Sequence, residues 1–228
     1  MIQMGVAQCF MASYYLTFAS YQLTGDEILY QISIVTLKIS STCIRVETSL
    51  ALVLALNRLK IMCRLRYSRA IHLILCVVVW TLGITYFTLL CSPYAGLTIE
   101  KGGTSSHYEY SKPFSWLLHK YAYILLFSCS SGTFFIYLCL VLFLFVLQNQ
   151  LQLGNYKEKW ILLQAVLRFF GDITLAVFYQ IIPSFYTLGP CYKLVLAFGY
   201  IVNNMILPPS LYMLLNRFET VIDLNVLK

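Results

Sequence analysis

Three stretches of this chain carry no charged side chain at all: Met1 to Gly25, Tyr121 to Tyr156 and Leu194 to Asn216. A domain folded in water must cover its outside with polar groups, and stretches this long leave none for that purpose. A helix needs about 20 mostly apolar residues to cross the hydrocarbon layer, and each stretch supplies them. Of 228 residues, 60% are hydrophobic and only 11% are charged, against roughly 25% charged in an ordinary soluble domain. Inside lipid every backbone amide needs an internal partner, which a helix provides. The sequence predicts an all-α fold, a polytopic transmembrane helix bundle.

Six spans are expected. They cover about 4–23, 29–62, 71–91, 117–146, 160–184 and 192–215, and together they make one bundle over 1–216. The second is long enough to tilt strongly or to project beyond the bilayer. Between the third and fourth lies a polar connection containing Pro93, Gly96, Gly102-Gly103 and Pro113. The last residues, 217–228, form a short cytoplasmic tail. Phe218, Val221, Ile222 and Val226 stand there among charges, a pattern suited to the membrane surface.

The net charge of +7 does not point to nucleic acid, because the cations are not gathered on one soluble face. They stand between the apolar segments, as membrane orientation requires. Arg58, Lys60, Arg64, Arg66 and Arg69 follow the second span with no acid among them. Lys157 and Lys159 flank Glu158 after the fourth span, and Arg217 follows the last. On the other side Asp26 and Glu27 are acidic, and Glu100 and Glu109 balance Lys101 and Lys112. The cationic loops therefore belong in the cytoplasm, as do both ends of the chain. Eight cysteines include no C-x-x-C pair; most lie in apolar segments as small buried side chains. Only Cys91 and Cys191, at segment ends, could face an oxidising compartment and bridge. His72, His107 and His119 are scattered without metal-ligand spacing. No serine–histidine–acid set and no glycine-rich phosphate loop is evident, so neither catalysis nor a metal or cofactor has positive support.

Several motifs resemble a known family. "LALNRL", ending the second span, is similar to the Asp-Arg-Tyr region that closes the third helix of rhodopsin-like G-protein-coupled receptors. It is closer to the Asn-Arg form of nematode serpentine chemoreceptors. "LPPSLYMLLNR" in the last span matches the P-x-x-Y of the rhodopsin-like seventh helix through Pro209, Ser210, Leu211 and Tyr212, with Asn216-Arg217 at the junction after it. "EKWILLQAVLRFF" resembles the opening of the sixth helix in nematode serpentine receptors, and Trp80 stands where the fourth usually keeps a tryptophan. The resemblance covers essentially the whole chain and leans towards the gamma-like superfamily, including class v.

The resemblance implies that the six spans correspond to helices two to seven, with the first helix missing. A start inside the second helix fits the cytoplasmic N-terminus, so a truncated gene model or isoform is expected. It also implies a multi-pass protein of the plasma membrane of sensory cells, a small-molecule ligand entering from outside, and a heterotrimeric G protein within. Asn57 and Arg58 then form the coupling switch, and Pro209 and Tyr212 a bend that moves with it. Departures from the pattern remain. The second helix of the plan lacks an acid and Pro208 replaces an asparagine, so the family's sodium site is not expected. Helix five has no proline. Ser33 stands near the position of the extracellular disulfide cysteine.

Lys38, Arg45 and Glu47 lie within the second span, where charge is expensive. Contacts to neighbouring helices are the expected use, with ligand contact an alternative for Glu47. Thr36, Ser40, Tyr179, Gln180 and Tyr192 are candidate linings of a ligand cavity, although interhelical hydrogen bonding explains them equally well. Arg168 and Asp172, four apart, can pair on one helix face, and Asn203 and Asn204 can satisfy backbone groups freed by Pro208-Pro209. A six-helix transporter or channel is the alternative function; it predicts inverted halves or a polar stripe along several spans, and neither is clear. A non-signalling membrane scaffold is a further possibility.

Overall fold

The structure is a computed structural model that describes residues 2–63, 68–99, 106–150, 166–167, 169–175, 177–178, 190–206 and 210. Four long helices account for most of it: α1 (Ile2–Thr24), α2 (Glu27–Met62), α3 (Arg69–Cys91) and α4 (Ser115–Gln150). A helix also covers Pro190–Ile201 and passes into a π-helical turn at Val202–Ile206. Three of the described helices are long and apolar enough to cross a membrane, at Glu27–Met62, Ala70–Cys91 and Ser115–Phe143. The protein is therefore a mostly helical, membrane-embedded chain. α1 has spanning length and no charge, and carries Gln, Ser, Thr and Tyr side chains along it, but it is not among those three.

The turn between α1 and α2 follows from two residues. Gly25 takes φ 68°, a left-handed conformation that costs other residues a Cβ clash, and its N–H closes α1 on the Tyr21 carbonyl at 2.8 Å. Asp26 then caps α2, its side chain accepting from the Ile28 N–H at 3.0 Å. The two helices run antiparallel, since partners rise in number along one as they fall along the other: Gln8 with Glu47, Thr17 with Thr36, Tyr21 with Tyr30. With 36 residues, α2 is about 54 Å long and exceeds a hydrocarbon layer of about 30 Å.

The chain divides into two compact units, Met1–Ser131 and Gly132–Lys228. In the first, α2 is the hub. One side meets α1 through Cys43, Ala7 and Met11. Another meets α3, where Val46, Leu50 and Val53 pack on Val79. Gly83 allows that approach, because a Cβ there would strike the Val46 Cγ2 methyl. In the second unit Phe134 stacks on Phe169 with ring centroids 4.0 Å apart, and Gly199 lets Leu175 come close.

The all-α expectation needs one correction. The connection after α3 contains an antiparallel hairpin, β1 (Leu97–Ile99) paired with β2 (Ser106–Tyr108), in register Leu97 to Tyr108 and Ile99 to Ser106. The connection is not merely polar either, because alternate residues Leu97, Ile99 and Tyr108 point into a core shared with Leu37, Tyr86, Leu90, Leu118 and Ala122. Side chains alternate along a strand, so three residues suffice to bury two. The Tyr30 hydroxyl adds a bond to the Ile99 carbonyl at 3.2 Å.

Candidate functional site

A set of polar groups lies between the hairpin, α2, α3 and α4. Arg45 sits mid-way along α2, and its side chain leans back over the preceding turn, as helical side chains do. Its Nη1 donates to the Ser41 carbonyl at 2.7 Å and to Ser41 Oγ at 3.0 Å. Nη2 reaches the Tyr108 hydroxyl on β2 at 3.4 Å. The guanidinium carbon lies 5.4 Å from the centroid of the Tyr86 ring on α3, a cation–π arrangement that offsets part of the cost of a charge in apolar surroundings. Tyr86 and Tyr108 share a hydrogen bond at 2.7 Å, and the Tyr108 ring stacks on His119 of α4 with centroids 4.6 Å apart. One arginine thus ties α2, α3 and the hairpin together, and Tyr108 carries the contact on to α4.

Tyr86 and Tyr108 are absent from the residues singled out by sequence. For Tyr86 one signal was available: a tyrosine inside an apolar span needs a partner for its hydroxyl, and Arg45 is a charged donor in the preceding span.

Glu47, only two residues on, faces away from this cluster. It is 3% exposed and accepts from Gln8 Nε2 of α1 at 2.7 Å, which is the contact to a neighbouring helix that its burial demands. Thr36 bonds to Thr17 of α1 at 2.8 Å, and Ser40 is buried. Thr36 and Glu47 lie about 16 Å apart along the helix, both engaged by α1, and they do not converge on one point. Ser33 is fully buried, and its Oγ finds no partner among the described residues.

Asn57 and Arg58 lie half-buried in the last turns of α2, just before the helix ends at Met62. Cations at a helix C-terminus are favoured by the exposed carbonyls there, and Lys60 shares that position. Tyr192 belongs to the second unit, where its hydroxyl donates to the Phe178 carbonyl. Pro209, Tyr212, Tyr179, Gln180, Arg168, Arg64, Arg66 and the tail 217–228 lie outside the described residues.

Asn203 has a partner in the second unit: its Nδ2 donates to the Asp172 carboxylate at 2.6 Å, and Gly171 leaves the room it needs. Asn203 stands in the π-helical turn Val202–Ile206. Cys91, at the end of α3, is a free and exposed thiol.

Above the cluster the surface is ordinary. Lys112 pairs with Glu109 at 2.9 Å, and that hydrogen bond holds the Glu109 carboxyl below its usual range, with the charges of Lys112 and Lys38 adding to it. Among the described residues no group of three His, Cys, Asp or Glu side chains could hold a metal. No protein-family model matches the chain, and no curated protein matches it.

Proposed function

We propose that the chain is a chemosensory-type G-protein-coupled receptor whose spans correspond to helices two to seven of the serpentine plan. On this reading a small ligand enters from outside and binds one arrangement of the bundle better than another, which shifts the population towards it. The cytoplasmic ends of the third and sixth helices then part and admit a heterotrimeric G protein. Arg58 is the residue that changes partners. At the water boundary a cation is incompletely buried, so either arrangement can satisfy it.

The observation that supports this reading best is the position of Asn57-Arg58. The pair ends α2, the helix that contacts α1, α3, α4 and the hairpin in the first unit, immediately before the cationic loop. A switch at the foot of the hub helix can feel a change in any of its neighbours.

Nucleotide exchange tests the proposal. The chain is placed in vesicles with a heterotrimeric G protein and challenged with a panel of small organic compounds. Exchange above empty vesicles is expected for at least one compound, and Arg58→Ala should reduce it about tenfold, a coupling of about 1.4 kcal/mol. Exchange that never exceeds empty vesicles, or that Arg58→Ala leaves unchanged, contradicts the reading.

A further inference from the structure

The start of α4 and the segment leading into it carry aromatic side chains that the core does not use. Tyr94, Tyr110, Phe114, Trp116 and Tyr121 are all exposed, Trp116 to 59%. Tyr94 meets Phe114 edge-on with centroids 5.9 Å apart, so the approach to α4 and the segment after α3 contribute to one patch. Water would leave these rings unshielded, and the hydrocarbon interior would leave the Trp116 indole N–H and the Tyr94 and Tyr121 hydroxyls unsolvated, while the Tyr110 hydroxyl already bonds to His119 Nδ1 at 2.9 Å. A ring with one polar edge is best placed at the boundary between the two.

The direction of Lys120 is an independent observation. Its Nζ lies 5.1 Å from the centroid of the Trp116 ring, so the lysine reaches back one turn towards the N-terminal end of α4. For a helix that enters the membrane near Ser115, that is the way out of the hydrocarbon, and a lysine buried at its stem extends its ammonium in this sense. The next exposed residues along α4, Ile124 and Phe127, have no polar atom to satisfy and suit lipid chains.

We infer that Tyr94, Tyr110, Phe114, Trp116, Lys120 and Tyr121 form a collar seated in the phospholipid headgroup layer on the hairpin side of the membrane. The Lys120 ammonium meets phosphate oxygens there, while the Trp116 indole and the Tyr94 and Tyr121 hydroxyls bond to glycerol and ester oxygens. The hairpin is thereby held level with the headgroups. This inference uses only the membrane-crossing character of α3 and α4, and it does not depend on the receptor reading.

Tryptophan depth in phosphatidylcholine vesicles tests it, using the full chain with Trp80→Phe and Trp160→Phe so that Trp116 alone emits. Lipids brominated near the glycerol should quench Trp116 roughly twofold more than lipids brominated near the chain ends. With Trp116→Phe and Trp160→Phe, Trp80 should show the reverse order, because it lies about 16 Å along α3 from either end. If either variant fails to insert, the difference between the unaltered chain and Trp116→Phe gives the same comparison. Stronger quenching of Trp116 by deep bromines, equal quenching at both depths, or quenching by aqueous iodide as complete as for free tryptophan overturns the collar. Insensitivity of both Trp80 and Trp116 to every brominated lipid overturns the membrane reading itself.

Discussion

Tyr108 fastens the hairpin to two helices through a single oxygen, which meets Tyr86 at 2.7 Å and Arg45 at 3.4 Å. Removing that oxygen leaves a buried phenol and a guanidinium each short of a partner. Tyr108→Phe should therefore destabilise the protein by about 1–2 kcal/mol, measured by thermal unfolding in detergent. The double variant with Tyr86→Phe should cost less than the two single changes added together, by about 0.5–1 kcal/mol; strict additivity would mean that the hydroxyls do not support each other. Glu109 offers a milder case. Its carboxyl is held low by Lys112, so the pair's contribution is present above the ordinary carboxylate pKa and fades as pH falls through the lowered value. Lys112→Ala should move the titration of Glu109, followed by NMR, up towards the ordinary range, with Ser111 and Lys38 still holding it down in part. At this exposed pair the accompanying change in stability should be small. Sequence alone could flag Arg45 and Glu47 as expensive, because a charge in an apolar span is visible in one segment. It could not supply Tyr108, which lies 63 residues from Arg45, since contact at that separation is decided by the fold.

Helices were legible where their cause is local. Uncharged length, a glycine-aspartate stop and a serine or aspartate cap all act within a few residues, so α1 to α4 fall close to the segments that hydropathy and charge mark out. The hairpin was not, since strands of three residues offer too short an alternation to stand out in a polar connection. Helix packing was equally hidden, because Gly83 is in no way marked along α3 until Val46 is seen opposite it. Gly83→Ala should destabilise by about 1–3 kcal/mol through overpacking against that methyl. Gly5→Ala on α1, where a Cβ would meet nothing within 4 Å, should be neutral or stabilise by up to about 1 kcal/mol. Equal effects at the two glycines would contradict the close α2–α3 approach.

At the scale of the whole molecule, two properties follow from composition and one does not. Embedding in lipid and a helical build are forced by the scarcity of charge. The proposed signalling role rests on the resemblance of Asn57-Arg58 and the P-x-x-Y of the last span, and the candidate ligand residues named from sequence are divided between α2 and the second unit. The reason is physical. Solvent choice depends on bulk composition, whereas a binding site depends on which few side chains converge, and convergence is long-range. The orientation of the bundle links the two scales, since a coupling switch at Arg58 is useful only inside the cell. Cysteine accessibility tests this most directly. Cys63, at the end of α2 beside the cationic loop, is kept as the sole cysteine in one variant, and Ser111→Cys beside the hairpin is the sole cysteine in another. On intact cells a membrane-impermeant maleimide should label the Ser111→Cys variant and spare Cys63 until the membrane is permeabilised. Labelling of Cys63 from outside, with the Ser111→Cys variant protected, would contradict the account.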